Sequence, residues 1–442
     1  MLQMCALAIQ LAHAPQARSH STPKPVLLMR IPYGEVPNTI PLEPGGVTDF
    51  EELRDVELGM DRPSEGPYWL RVYKDGEVLA IYTIEQITFI NIKTRKISMQ
   101  IEKQSRRPLV DLDNKKLYYI FHYEVPQGYV DEEGVYNVLR PAVRWKLMVY
   151  DFSDRLIESE TEMLNRAIEP FVQSGWEVRR DVALRNDICY KDKKGNIYIL
   201  NHKDIDSMRM GSQNIISILR ISPNGETKKI TINLPTNATR YVDWILIKND
   251  KIFFFAFYQD YTGDSKVIKD NLNENVVTGY ALEQISYIVY SLDGDFLYKK
   301  DISFKKEDEI MKYGFVHWLN DIKIDKDENL YVSLFVPNTT WKHLDCVKEK
   351  KYLKLENYSF EIEGDKRHLE TFAITSHVVW RIDPDKKTMR KIGTVYEPHY
   401  SDTGTFPRTV SWDIDPDGNL YYLRWAKSEL EIWMIPASQN SP

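Results

Sequence analysis

The sequence predicts an all-β repeat protein, a six-bladed β-propeller, on three observations. A hairpin pattern recurs: residues 318–333 read WLNDIKIDKDENLYVS, 411–423 read SWDIDPDGNLYYL and 187–200 read DICYKDKKGNIYIL. Between 68 and 435, short runs of β-branched and aromatic residues alternate with Gly-, Asp-, Asn- and Lys-rich turns, the mark of a strand-rich chain. Finally, the last group of strands is one short, and a lone strand pattern at 25–32, PVLLMRIP, has no hairpin neighbour. A chain of 442 residues would ordinarily hold two or three domains, but internal repeats override that expectation.

The first group has strands at 69–73, 78–82, 87–92 and 97–101, with a hairpin turn at 74–77. The second has strands at 109–113, 116–121 and 146–152 around an insertion at 124–143. Residues 154–172 follow, and their apolar positions mix helix and strand periods. The third group has strands at 187–190, 196–200, 215–221 and 229–234; the fourth at 243–247, 251–257, 285–291 and 296–302, with a polar insertion at 259–283. The fifth starts at 318–333, where Ile322 and Ile324 alternate with polar residues as in a half-buried strand. Its turn is 325–329, because Asp and Asn bond their own backbone and tolerate left-handed geometry. Strands at 377–382 and 389–394 complete it after an insertion at 337–375. The sixth has strands at 410–414, 419–424 and 429–435. Residues 25–32 supply its missing strand, closing the ring so that no blade edge is left open. Seven blades, with 154–179 as a degenerate blade, is the alternative.

The domain organisation read from this is a signal peptide at 1–14, a linker at 15–24, one propeller domain at 25–436 and a tail at 437–442. The signal reading rests on the apolar run MLQMCALAIQLAHA with Ala12-His13-Ala14 at its end; it has no basic n-region. It implies a periplasmic or secreted protein. Hydrophobic residues make up 43% of the chain, which is enough for a large core, and aromatic residues 12%. The net charge of -7 argues against nucleic acid as a partner. No run is long enough for a membrane span, and a monomer is expected. There is no C-x-x-C, Walker A, G-x-S-x-G or dinucleotide fingerprint. Pairing of Cys189 with Cys346 is not directed by spacing.

In a propeller the first strand of each blade lines the axis. Aligned on their turns, the groups start their inner strands at Asp187, Asp243, Asp321 and Ser411. Asn186 and Asn320 precede two of these, and Arg185, Arg240 and Arg408 lie just upstream. Two readings stay open. Converging carboxylate and carboxamide oxygens suit a hard divalent cation such as Ca²⁺ or Mg²⁺. Alternatively, the Asp side chains satisfy loop amides and pair with the Arg groups. The rest of the hairpin, 322–333, reads as scaffold.

Residues 64–69, SEGPYW, look like the E-G-P-x-W opening of the gluconolactonase and senescence-marker-protein (regucalcin) propellers. Asn320-Asp321-Ile322 resembles strand starts shared by that family and NHL-type propellers. The resemblance implies one divalent metal held by Glu65, by Asn186 or Asp187, and by Asp243, with Asp243 also serving in acid–base chemistry. The chain departs from the pattern by having Asn186-Asp187 where the family has Asn-Gly, and by its long insertions. The primary expectation is therefore an exported module binding a protein or small ligand, with Asn320, Asp321, Arg185, Arg240, Arg408 and Ser411 at the binding mouth. The alternative is a divalent-metal-dependent lactonase or esterase.

Overall fold

The computed structural model describes residues 24–34, 36–40, 69–83, 86–102, 108–130, 136–178, 189–235, 244–259, 267–269, 275–277, 282–304, 321–337, 375–396, 411–425 and 429–437. It is all-β, with six antiparallel sheets arranged as propeller blades.

Strand β1 (Val26–Pro32) comes first. Blade 1 is β2 (Trp69–Tyr73), β3 (Val78–Tyr82), β4 (Gln86–Asn91) and β5 (Lys96–Glu102). Blade 2 is β6 (Leu109–Asp111), β7 (Lys116–Val130) and β8 (Tyr136–Asp151), followed by helix α1 (Glu158–Gln173). Blade 3 is β9 (Cys189–Lys191), β10 (Ile197–Leu200), β11 (Ile215–Ile221) and β12 (Thr227–Asn233), with helix α2 (His202–Arg209) between its second and third strands. Blade 4 is β13 (Trp244–Lys248), β14 (Lys251–Gln259), β17 (Leu282–Ser291) and β18 (Phe296–Ser303). Its insertion carries the small ribbon β15 (Val267–Lys269) and β16 (Asn275–Val277). Blade 5 is β19 (Asp321–Ile324), β20 (Leu330–Pro337), β21 (Thr375–Asp383) and β22 (Thr388–Tyr396). Blade 6 is β23 (Trp412–Ile414), β24 (Leu420–Trp425) and β25 (Glu429–Ile435). Strand β1 pairs antiparallel with β25, Val26 opposite Met434 and Pro32 opposite Glu429, so the N-terminal strand completes the last blade as expected.

Each pair of neighbouring blades shares one apolar cluster, so the ring closes on itself. Strand β14 shows the physical cause. Ile252, Phe254 and Ala256 pack toward blade 3, while Phe253 and Phe255 pack toward blade 5. A central blade strand is covered on both faces, which calls for a continuous apolar run rather than alternation.

Three hairpin turns share one hydrogen-bonded unit, which explains their sequence echo. In each, the leading Asp accepts from the amide and the side-chain nitrogen of the Asn four residues on. The amide distances are 2.9 Å for Asp192–Asn196, 2.9 Å for Asp325–Asn329 and 2.8 Å for Asp415–Asn419. A Tyr two residues further donates its hydroxyl to the same carboxylate, at 3.0 Å for Tyr198, 3.4 Å for Tyr331 and 3.1 Å for Tyr421. The residue before the Asn is left-handed in all three: Gly195, Glu328 and Gly418.

Blade 2 differs from the expectation twice. The insertion at 124–143 continues β7 and β8 as a paired ribbon, Gly128 opposite Val138. Residues 154–172, whose periodicity was mixed, are mostly helix α1, so the seven-blade alternative fails. The helix packs Leu164 and Ile168 into the cluster between blades 2 and 3. It lies along β8, where a fourth strand would otherwise stand. Helix α2 was not anticipated; its start is marked by Asn201, whose side chain accepts from the amides of Lys203 at 3.3 Å and Glu177 at 3.1 Å. Cys346 and the segments 1–14, 15–23 and 438–442 lie outside the described residues. Among the described residues no helix is long and apolar enough to cross a membrane.

Candidate functional site

Of the residues singled out in the sequence, Asp321 and Ser411 are described. Glu65, Arg185, Asn186, Asp187, Arg240, Asp243, Asn320 and Arg408 lie outside the described residues. Among the described residues, no group of three His, Cys, Asp or Glu side chains gathers as metal ligands would.

The inner strands nevertheless bring together a set of charges. Strands β2, β6, β9, β13, β19 and β23 stand at the axial edge of their sheets. Five of them carry a charged residue at their second or third position: Arg71, Asp111, Lys191, Lys323 and Asp413; the sixth has Leu246. Asp321 adds a carboxylate beside Lys323 on β19.

On one side of the axis, Lys191 of blade 3 pairs with Asp111 of blade 2, and both are largely buried. Asn114 also binds Asp111, through its amide at 3.1 Å and its side-chain nitrogen at 2.8 Å. Burial pushes the Asp111 carboxyl up, but Lys191 and Asn114 together hold it below the usual carboxylate range.

On the other side, blades 5, 6 and 1 meet. Lys323 Nζ is 2.9 Å from Asp321 Oδ2 and lies 6.0 Å from the centre of the Trp412 ring. Asp321 Oδ1 accepts from the Ile322 amide at 2.8 Å. Asp413 Oδ2 accepts from the Val72 amide at 2.8 Å, tying blade 6 to blade 1. Beside Val72, the Arg71 guanidinium sits 4.3 Å from the centre of the Trp69 ring. Asp321 keeps 24% of its side-chain surface exposed, whereas Lys323 keeps 9%. Burial among the inner strands pushes the Asp321 carboxyl above the usual range. Lys323 and Arg71 pull it back, and the charge of Asp413 adds to the rise. Two buried hydroxyls here, Ser333 Oγ and Ser411 Oγ, have no hydrogen-bond partner among the described residues. Ser333 stands directly opposite Asp321 in the β19–β20 pairing, so the two side chains share one face.

The strand expected to be half-buried at Ile322 and Ile324 is buried on both faces. Ile322 and Ile324 face blade 4, but the alternating polar residue Lys323 is itself buried, on the side toward blade 6. The polar period on β19 marks the charge cluster, not solvent. The hairpin alignment picks out strand starts, whereas Arg71, Asp111, Lys191, Lys323 and Asp413 stand at the second or third position of their strands. Their sequence signal is a charge one or two residues into a short apolar strand: WLRVY, LVD, CYK, DIKI and WDI.

No family model matches the chain, and no curated protein matches its sequence. Solved structures similar to it include Kuenenia stuttgartiensis hydrazine synthase, at 13% identity and TM-score 0.33 over 83% of this chain and 76% of that one. The Myceliophteria thermophila Cps50 (Swd1) β-propeller domain is similar at 8% identity and TM-score 0.31, over 83% and 95% of the two chains. The WD40 domain of SCAP from fission yeast is similar at 7% identity and TM-score 0.27, over 84% of each chain. The number of blades comes from the strand pairing itself.

Proposed function

We propose that this protein is an exported binding module whose axial channel receives a small ligand. The observation that carries the proposal is the convergence of Arg71, Lys323, Asp321 and Asp413 from three blades onto one region of the axis. The blades already pack through apolar clusters, and buried charges add a desolvation cost that apolar side chains would avoid. Fixed charges of both signs between the inner strands orient a polar ligand. Export rests on the apolar run at 1–14 alone; sequencing the N-terminus of the mature protein tests it, and an intact Met1 rejects it.

The channel reading is tested by thermal shift against a panel of small carboxylates, phosphates, amines and neutral sugars. At least one class raises the melting temperature of the native protein, and Arg71→Gln removes that shift. A panel without effect, or shifts unchanged in the variant, rejects channel binding. The insertion at 337–375 is the proposed protein-binding surface; a deletion that leaves every partner in a pull-down unchanged rejects that part.

A second reading, metal-dependent lactone or ester hydrolysis, is supported by the SEGPYW resemblance at 64–69. It assigns the metal to Glu65, Asn186 or Asp187, and Asp243, with a Lewis-acid role. Calorimetry with Ca²⁺, Mg²⁺, Mn²⁺ and Zn²⁺ tests it. Binding lost in Asp243→Ala supports it, and no binding at millimolar metal rejects it.

A further inference from the structure

Strands β7 and β8 are 15 and 16 residues long, against 5 to 7 for the strands of blade 1. The face they turn toward blade 1 changes character along the way. Tyr119, opposite Met148, is buried in the cluster that blade 2 shares with blade 1. The next residues on that face are Phe121 opposite Lys146 and Tyr123 opposite Arg144, because side chains two apart on a strand, or directly across a pair, share a face. Phe121 is 51% exposed and Tyr123 39%. Lys146 Nζ stands 5.3 Å from the centre of the Phe121 ring and still leaves half of that residue in water. Arg144 and Lys146 make no ion pair among the described residues. The reverse face is held down: the Trp145 indole donates to the Trp176 carbonyl at 2.8 Å, and His122 Nε2 donates to the Val178 carbonyl. The exposed row therefore stands on a strand pair pinned from behind, not on a loop.

A contiguous aromatic pair rimmed by polar side chains is the pattern of an interaction surface. Aromatic and Arg side chains are also what the centre of a protein–protein interface is rich in. The two cations reverse the sign locally on a chain whose net charge is -7. Spacing narrows the partner. Arg144 and Lys146 are two apart on one strand, so their Cβ atoms lie about 7 Å apart, and the aromatic row runs about 5 Å beside them. An extended peptide has the same repeat, with alternate side chains pointing to opposite sides. Laid along the ribbon, its acidic side chains would reach Arg144 and Lys146, while the apolar side chains between them cover Phe121 and Tyr123. Carboxylates match the guanidinium fork of Arg144. A nucleic acid strand would need a longer basic track on an acidic protein. We propose that Phe121, Tyr123, Arg144 and Lys146 dock an extended segment of another protein in which acidic and apolar residues alternate. This surface goes beyond the channel-binding reading and does not depend on it.

The test uses a short fluorescein-labelled peptide of alternating Glu and Leu, followed by fluorescence anisotropy on the full chain. Peptides of alternating Gln and Leu and of alternating Lys and Leu are the controls. The native protein binds the Glu peptide, added salt weakens that binding, and both controls bind about tenfold more weakly or less. Arg144→Glu with Lys146→Glu, and Phe121→Ser with Tyr123→Ser, each weaken Glu-peptide binding about tenfold or more. Thermal melts show whether each double variant is folded. A photo-crosslinking group in the Glu peptide locates the site on the native protein without any variant, with cross-links at 119–125 and 142–148. No binding of the Glu peptide, equal binding of either control, an affinity unchanged in either folded double variant, or cross-links confined to other blades overturns the proposal. Tighter binding of single-stranded DNA or of phosphatidylserine vesicles than of the Glu peptide overturns it as well.

Discussion

Asn165, on helix α1, pairs with the backbone of Leu147 as a neighbouring strand would. The Leu147 amide donates to Asn165 Oδ1 at 2.9 Å, and Asn165 Nδ2 donates back to the Leu147 carbonyl at 2.7 Å. One turn earlier, Thr161 Oγ1 accepts from the Val149 amide at 3.1 Å, and the Ile157 amide donates to the Val149 carbonyl at 2.8 Å. A helix thus satisfies the edge that a fourth strand would have covered, by side chains spaced one helical turn apart.

This relationship predicts that Asn165→Ala destabilises the protein by about 1–3 kcal/mol, the cost of leaving buried backbone groups unpaired. Asn165→Asp retains the acceptor and loses the donor, so it falls in the same direction. Thermal or urea unfolding measures both. A loss below about 0.5 kcal/mol, the usual range for a surface substitution, would mean that the pairing carries no stability.

Lys191→Met leaves Asp111 buried and charged, and is expected to cost about 3–5 kcal/mol. Adding Asp111→Leu to it recovers most of that loss, because an apolar pair of similar volume needs no desolvation. A double variant as unstable as the single one would show that the pair is not the source of the effect. Chemical denaturation of the two variants decides the matter.

Asp111 and Asp192 set an acid limit on stability. Burial pushes Asp192 up, but the Asn196 side chain and amide, the Tyr198 hydroxyl and the Lys194 amide together hold it below the usual range. Both carboxyls therefore titrate lower in the folded chain than in the unfolded one, where the value is about 3.9. Their stabilisation is fully present above that value and is lost as pH falls through the folded pKa values. Asp321, raised in the fold, works in the opposite sense: its ionisation weakens the fold as pH rises from the unfolded value through the folded one. Melting temperatures are expected to drop steeply below about pH 4, and less steeply in Asp192→Asn, which starts from a lower value.

Gly418→Ala is expected to be more damaging than Gly195→Ala. Both glycines are left-handed, at φ +85° and +86°. A Cβ on Gly418 would overlap the Tyr331 hydroxyl, which is buried between blades 5 and 6 and bonded to the Gly418 carbonyl at 3.4 Å. At Gly195 the nearest atom would be Pro223 Cγ at 3.1 Å, on an exposed turn that can yield. Calorimetric melts of the two variants give the comparison, and equal losses would assign the whole effect to backbone strain.

The sequence by itself determined the strands, their grouping into blades and the closure of blade 6 by residues 25–32. Those features are local: apolar runs between turn residues, and a repeated Asp–Asn–Tyr turn whose hydrogen bonds lie within seven residues. The long β7–β8 ribbon and helix α1 were harder to read, because Pro126, Gly128 and Pro141 interrupt the strand pattern of 124–143 and 154–172 fits neither period well. The charge cluster was decided only by the tertiary structure. Arg71, Lys323 and Asp413 sit in three strands far apart in the chain, and a charge within a short apolar strand does not say which other strands it will meet. Closing the ring places Asp413 beside Val72 and Arg71 near Asp321. Burial and the neighbouring charges then set how that carboxyl holds its proton.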